Sequence, residues 1–278
     1  MTEVKFKDLL GTGAHFGHVT RKWHPNYKPY ILTEKNGVHI INLEETVTAI
    51  NKAISFIKDV IEKKGEVLFV GTKKQARDIV QQEADRCGMF YIVERWLGGT
   101  LTNFSTIRKS IKRLKLLEKE GSSLYENLTK KETQMLNRER VKLADQHRGI
   151  KDMRRLPDAV IVVDANFEGT AIREATSLDI PVVAIVDTNT DPLHIDYPIP
   201  ANDDSIRTIQ LIMSAFSDVI IDEKGFATVE SDGDDDTSDP VNESVKATDV
   251  EKVESSEDEH SGENIEALSQ EKSIEEEE

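Results

Sequence analysis

The sequence predicts an α/β protein, a doubly wound parallel sheet interrupted by an inserted antiparallel coiled-coil arm. Three observations carry that class. Short β-branched runs at residues 38–43, 66–70, 89–93, 159–163 and 182–186 are apolar enough to be strands covered on both faces by helices. Amphipathic stretches alternate with these runs, and strand followed by helix, repeated, winds a parallel sheet. One connection, from residue 94 to residue 158, is far longer than a crossover needs, so something is inserted there.

Taken in order, residues 30–33 and 38–41 form a hairpin at the sheet edge, joined through Glu34, Lys35, Asn36 and Gly37, because Asn-Gly tolerates the positive φ of a tight turn. Residues 44–64 place Val47, Ile50, Ile54, Ile57 and Ile61 three or four apart, which is one face of a helix. VLFVGTKKQ, residues 67–75, reads as strand, turn and helix start, with Thr72 as N-cap and Gln75 closing a capping box. Phe104, Ile107, Ile111 and Leu114 recur at heptad spacing until Gly121, Ser122 and Ser123 stop the helix. Thr129 and Glu132 open a second limb, along which Leu136, Leu143 and Ile150 recur every seven residues. Each limb is about 25 Å long at about 1.5 Å per residue. Residues 203–221, with Ile206, Ile209, Met213, Phe216 and Ile220, form the last helix. One domain at 1–226 therefore carries an arm at about 104–150, and residues 227–278, rich in Asp, Glu, Ser and Thr without aromatics beyond Ala227, form a disordered tail.

Net charge conceals the distribution. Residues 222–278 hold 22 acids and 4 bases, whereas residues 1–221 hold 30 acids and 32 bases. Within the body, residues 95–155 carry 16 bases against 7 acids, and residues 156–221 carry 2 bases against 11 acids. A one-signed surface attracts polyanions, so the arm points to nucleic acid. Cys87 is the single cysteine, which excludes an intramolecular disulfide and suits a reducing, cytoplasmic setting. No apolar run approaches the ~20 residues of a membrane span, and the first residues lack a signal peptide's apolar stretch.

Four clusters are candidates for chemistry. On the arm, Arg108, Lys109, Lys112 and Arg113 lack acids spaced for helical pairs and suit RNA phosphates. In RWLGGTLTN, Arg95 and Trp96 offer charge and a stacking plane, Gly98 and Gly99 allow close backbone approach, and Asn103 caps the first limb. Lys73 and Lys74 fall in a helix first turn, where cations are disfavoured unless an anion such as an RNA phosphate binds there. In GAHFGHVTRKWHP, Arg21, Lys22 and Trp23 interleave charge with an aromatic ring, as in binders of irregular RNA, and His15, His18 and His24 raise the question of zinc. Asp164, Asp187, Asp191, Asp203 and Asp204 follow strands and gather at the carboxyl edge of the sheet; Asp187, Asp203 and Asp204 are candidates for Mg²⁺. A phosphate-handling enzyme using Lys73, Asp164 and Asp187 is the competing reading, opposed by the lack of a complete catalytic constellation.

Several long motifs in order, AHFGHVTRKWHPNYKPYI, NGVHIINLEET, LFVGTKKQA, RWLGGTLTNFSTI, PDAVIVVDAN and IPVVAIVDTNTDPLHIDYPIPANDD, resemble the bacterial S-two family of small-subunit ribosomal proteins across residues 3–225. The resemblance implies a Rossmann-like domain with a helical arm and a non-enzymatic role in translation. It implies contact with small-subunit ribosomal RNA and other ribosomal proteins, and help in docking the large mRNA-binding protein S-one, without a membrane or a required cofactor. The family's motif residues fall here on His15, Phe16, Gly17 and His18, on Arg95, Trp96, Gly98 and Gly99, and on Asn202, Asp203 and Asp204. His24 stands where the family usually has Asn, and the acidic tail exceeds the family core.

Overall fold

The computed structural model describes residues 4–119 and 129–231. In chain order its elements are α1 (Phe6–Thr12), β1 (Phe16–Val19), β2 (Ile31–Lys35), β3 (Val38–Ile41), α2 (Leu43–Glu62), β4 (Val67–Val70), α3 (Arg77–Cys87), β5 (Phe90–Ile92), α4 (Phe104–Glu118), α5 (Lys130–His147), β6 (Ala159–Val163), α6 (Gly169–Ser177), β7 (Val182–Val186), β8 (Tyr197–Pro200) and α7 (Ile206–Ser231). Five strands form a parallel sheet in the order β5-β4-β6-β7-β8.

Alternation along each strand divides the core in two. Val67 and Phe69 of β4, with Ala159, Ile161 and Val163 of β6, pack against Ile50 and Ile57 of α2, Val80 of α3, and Ile209 and Phe216 of α7. Leu68 and Val70, with Val160 and Val162, face the other way onto Ile107 and Ile111 of α4 and Ala171, Ile172 and Ala175 of α6. Successive side chains of a strand point to opposite faces, so a strand buried on both sides must be apolar at every position. Full burial of a side chain such as Phe69 contributes about 1.5–3 kcal/mol.

The structure corrects several expectations. Residues 38–41 lie outside the parallel sheet: β3 is the middle strand of a separate antiparallel sheet, β1-β3-β2. Its burial alternates, with His39 and Ile41 buried and Val38 and Ile40 half-buried, as suits a sheet covered on one face. The turn between β2 and β3 has positive φ at Asn36 and Gly37 as expected. Strand β8 escapes sequence reading because Pro198 and Pro200 lie in it; proline is tolerated there because β8 is an edge strand. Helix α3 starts at Arg77 after Ala76, without a side-chain cap, so the expected Thr72 and Gln75 capping box does not form. Helix α7 starts at Ile206 and runs through Ala227 to Ser231. Residues 232–278, most of the expected tail, lie outside the described residues, as do Gly121, Ser122 and Ser123.

The arm has the expected two limbs. Ile107, Ile111, Leu114 and Leu117 are buried along α4, whereas Leu136 and Leu143 of α5 are half-buried. At α5's start, Thr129 Oγ1 accepts from the Glu132 amide at 3.4 Å and Glu132 Oε2 accepts from the Thr129 amide at 2.9 Å, completing the expected capping box. Across the limbs, Arg113 reaches Glu139 through Nε at 3.0 Å and Nη2 at 3.2 Å, and Ser110 Oγ lies 2.8 Å from His147 Nε2.

Candidate functional site: the carboxyl edge of the sheet and the arm

The chain reverses its direction across the sheet after β5, so the switch point lies between β4 and β6. A charged network sits at their carboxyl ends. Lys73 Nζ lies 2.7 Å from Asp203 Oδ1, 2.7 Å from Asp204 Oδ1 and 3.0 Å from Asp164 Oδ2. Burial alone would lower the Lys73 pKa, but hydrogen bonds to Asp203 and Asp204 outweigh it and hold the ammonium charged well above its ordinary value. Lys73 is therefore turned inward as a tie between strand ends. Lys74 beside it is exposed.

Asp203 is fully buried, and its Oδ2 has no hydrogen-bond partner among the described residues. Burial first, then the charges of Asp164 and Asp187, push its pKa up to about 7. Its neighbour Asp204 moves the other way, because Lys73 donates to it and favours its charged form. His18 Nδ1 stands 2.9 Å from Asp187 Oδ2 and Nε2 stands 3.6 Å from Asp204 Oδ2. The hydrogen bond with Asp187 raises the His18 pKa against the opposing effect of burial. Gly17 permits this approach: a Cβ there would lie 2.5 Å from Thr188 Cγ2, and Thr188 Oγ1 accepts from the His18 amide at 2.9 Å.

The three histidines do not converge. His15 lies against Phe16, with ring centroids 4.0 Å apart, and His24 accepts from the Asn26 amide at 3.3 Å. Among the described residues, His18, Asp203 and Asp204 are the group whose ligating atoms lie within 4.8 Å of one another and suit a cation. Asp187 takes part through His18, whereas Lys73 already supplies positive charge to both aspartates.

The expected anion site before α3 is filled by the protein itself. Glu168 Oε1 accepts from the Thr72 amide at 2.7 Å and from Thr72 Oγ1 at 2.5 Å. Arg77 then bonds Thr72 O at 2.9 Å and Glu94 Oε2 at 3.2 Å, linking the loops that follow β4 and β5.

Glu174 of α6 organises the turn at 95–103. Its Oε1 accepts from Trp96 Nε1 at 3.1 Å and the Gly99 amide at 2.8 Å; its Oε2 accepts from the Leu101 amide at 3.0 Å and from the Thr102 amide and Oγ1, both at 3.3 Å. Burial opposes the charge, but these donors outweigh it and hold the carboxyl below its ordinary pKa. Trp96 is thus a buried anchor, 9 % exposed, rather than the expected stacking plane. Gly99, at φ +87°, turns its amide toward the carboxylate. Asn103 accepts from Thr106 Oγ1 at 2.9 Å and Ser105 Oγ at 3.2 Å instead of capping α4 through an amide. Neither Glu168 nor Glu174 was legible as functional, because each is separated from its partners by more than seventy residues of chain.

The remaining candidates lie on the surface. Arg108, Lys109 and Lys112 are exposed on α4 and their side chains have no hydrogen bond or ion pair among the described residues, whereas Arg113 is held by Glu139. Arg95 is exposed beside the anchored turn. Arg21 and Lys22 are exposed on a short 3-10 turn after β1, and Trp23, 36 % exposed, packs its ring 5.3 Å from that of His39.

This arrangement resembles known proteins along most of its length. Residues 9–223 match the family described as Ribosomal protein S2. The small ribosomal subunit protein uS2 of Chloroherpeton thalassium is 54 % identical over 223 residues, covering 80 % of this chain and 89 % of that protein. That of Treponema pallidum (strain Nichols) is 47 % identical over 249 residues, covering 88 % of this chain and 86 % of that protein. With a sheet, an arm and a carboxyl-edge network all inside the matched stretch, the chain belongs to the ribosomal protein S2 family.

Proposed function

We propose that the protein binds small-subunit ribosomal RNA through its arm, the turn at 95–103 and the loop carrying Arg21, Lys22 and Trp23, and helps dock the ribosomal protein S-one. It is a structural constituent of the small ribosomal subunit in translation, working in the cytoplasm as part of that particle, and not an enzyme. No described helix is long and apolar enough to cross a membrane. The observation that carries the RNA reading is the set Arg108, Lys109 and Lys112: exposed, on one rigid helix, and without acidic partners among the described residues. Such cations contact phosphates and release counterions. Arg95 and Lys74 are further exposed cations, while Lys73 and Trp96 are tied inward by Asp203 and Glu174. The S-one contact is carried by the motif resemblance.

The test is replacement of Arg108, Lys109 and Lys112 together by Glu. Incorporation into small subunits, read on sucrose gradients of cell extract, is expected to fall while the urea midpoint stays near that of the parent. Undiminished incorporation overturns the arm as an RNA contact. For S-one, loss of its co-migration with subunits lacking this protein is expected; unchanged S-one occupancy refutes the docking role.

A further inference from the structure

Helix α5 carries a second positive surface that the α4 cations do not share. Gln134, Arg138, Val141 and Lys142 recur at helical spacing, and about 100° of rotation per residue puts them opposite Leu136, Leu143 and His147, which face α4. With Glu94 and Arg95 they line an open groove of about 610 Å³. Arg95, Arg138 and Lys142 are exposed and their side chains make no hydrogen bond or ion pair among the described residues. Glu94 is compensated, since Arg77 lies 3.2 Å and Arg148 3.6 Å from its carboxylate. Among the described residues lining the groove, Asp145 is then the one uncompensated acid against three cations.

A separate hollow of about 250 Å³ lies on the flank of α4, where Arg108, Lys112 and Lys115 meet Lys151 and Arg154. It has no lining residue in common with the groove. Lys115 is held by Asp152 at 2.9 Å and Lys151 by Glu118, whereas Arg108, Lys112 and Arg154 make no side-chain hydrogen bond or close ion pair among the described residues, and Arg154 acts on Asp152 only through its charge. Bonds across the limbs, from Arg113 to Glu139 and from Ser110 to His147, keep the two surfaces at a set angle.

We propose that the arm bridges two separate segments of folded RNA, one seated in the groove of α5 and Arg95, the other in the hollow of α4. The inference rests on the RNA reading above and adds that the arm has two faces for it. Charge selects a polyanion for each. In the groove, Val141, 51 % exposed, offers an apolar patch to a ribose, and the amides of Gln134, Asn137 and Gln146 can both donate to and accept from 2′-hydroxyls, which favours RNA over an acidic protein segment.

The test places a photo-crosslinking residue at Lys142 or at Lys112 of the full chain in assembled small subunits. RNA adducts from both positions are expected, mapping to two stretches that do not pair with each other. Protein adducts or none from position 142, or adducts from both positions on one RNA helix, overturn the proposal while the RNA reading stands on position 112. No RNA adducts from either position overturn both. Independently, R138E with K142E should reduce binding of the full chain to ribosomal RNA at low salt by about tenfold and lower the slope of log affinity against log salt by about 2, one for each phosphate no longer neutralised. An unchanged slope in a folded variant also overturns it.

Discussion

Removing the Glu174 carboxylate should loosen the root of the arm before it disturbs the sheet. In Glu174→Ala, Trp96 Nε1 and the amides of Gly99, Leu101 and Thr102 lose their shared acceptor. A hydrogen bond to an ionised group contributes about 1.5–3 kcal/mol, and a buried donor left unsatisfied costs about 1–3 kcal/mol. Because the donors share two oxygens, and those from Thr102 are long at 3.3 Å, the effects do not add. The expected loss is roughly 3–5 kcal/mol, against about 5–15 kcal/mol for a typical domain. Glu174→Gln keeps one carbonyl but turns an NH₂ toward the other donors, so about 2 kcal/mol is expected. Urea unfolding of the full chain reads the global part, and amide hydrogen exchange at Gly99, Leu101 and Thr102 reads the local part. If the Ala variant lost less than about 1 kcal/mol and those amides exchanged no faster, the anchoring argument would be wrong.

Three further outcomes follow from other parts of the structure. Gly149→Ala would set a Cβ 2.2 Å from the Tyr91 carbonyl oxygen, where backbone cannot yield easily, so a loss of about 1–3 kcal/mol is expected; an unchanged melting temperature would contradict it. The folded pKa of His18 stands above its ordinary 6.5, so its stabilisation is complete below that value and fades as pH rises through the folded one. Asp203, raised from 3.8 to about 7, changes in the same sense, whereas burial lowers the pKa values of His15 and His147 and opposes them. The stability difference between the parent and Asp187→Asn combines the His18 contribution with relief of the Asp187 repulsion on Asp203, and both act in the same sense. It should be largest between about pH 4 and 6.5, where carboxylates are charged and histidine protonated, and shrink above that range, and a difference that grows with pH would refute the pairing. Deleting residues 232–278 removes 19 acids and 3 bases, so low-salt RNA affinity should rise if the tail competes for the same cations; unchanged affinity would exclude that competition.

Much of the scaffold was legible because its signals are local. Apolar runs such as VVAIV announce strands covered on two faces, the Asn36 and Gly37 pair announces its turn, and Thr129 with Glu132 announces a helix start. The arm was visible as an overlong connection with heptad spacing. Strand β8 was not visible, because prolines hide an edge strand whose place depends on β7. The site was legible in residue type more than in role. Lys73, Trp96 and Arg113 look like exposed RNA contacts in a linear reading, yet their partners, Asp203, Glu174 and Glu139, arrive from distant parts of the chain.

The chain alone determined most of the central strands and the long helices, where the positive charge is concentrated, and which family it belongs to, because propensity, periodicity and motif order are properties of neighbouring residues. Tertiary structure decided which charges remain available to a partner. An ammonium or an indole N–H is neutralised or bonded by whatever the fold brings within about 3 Å, and for Lys73 and Trp96 those groups come from carboxylates that sequence distance conceals.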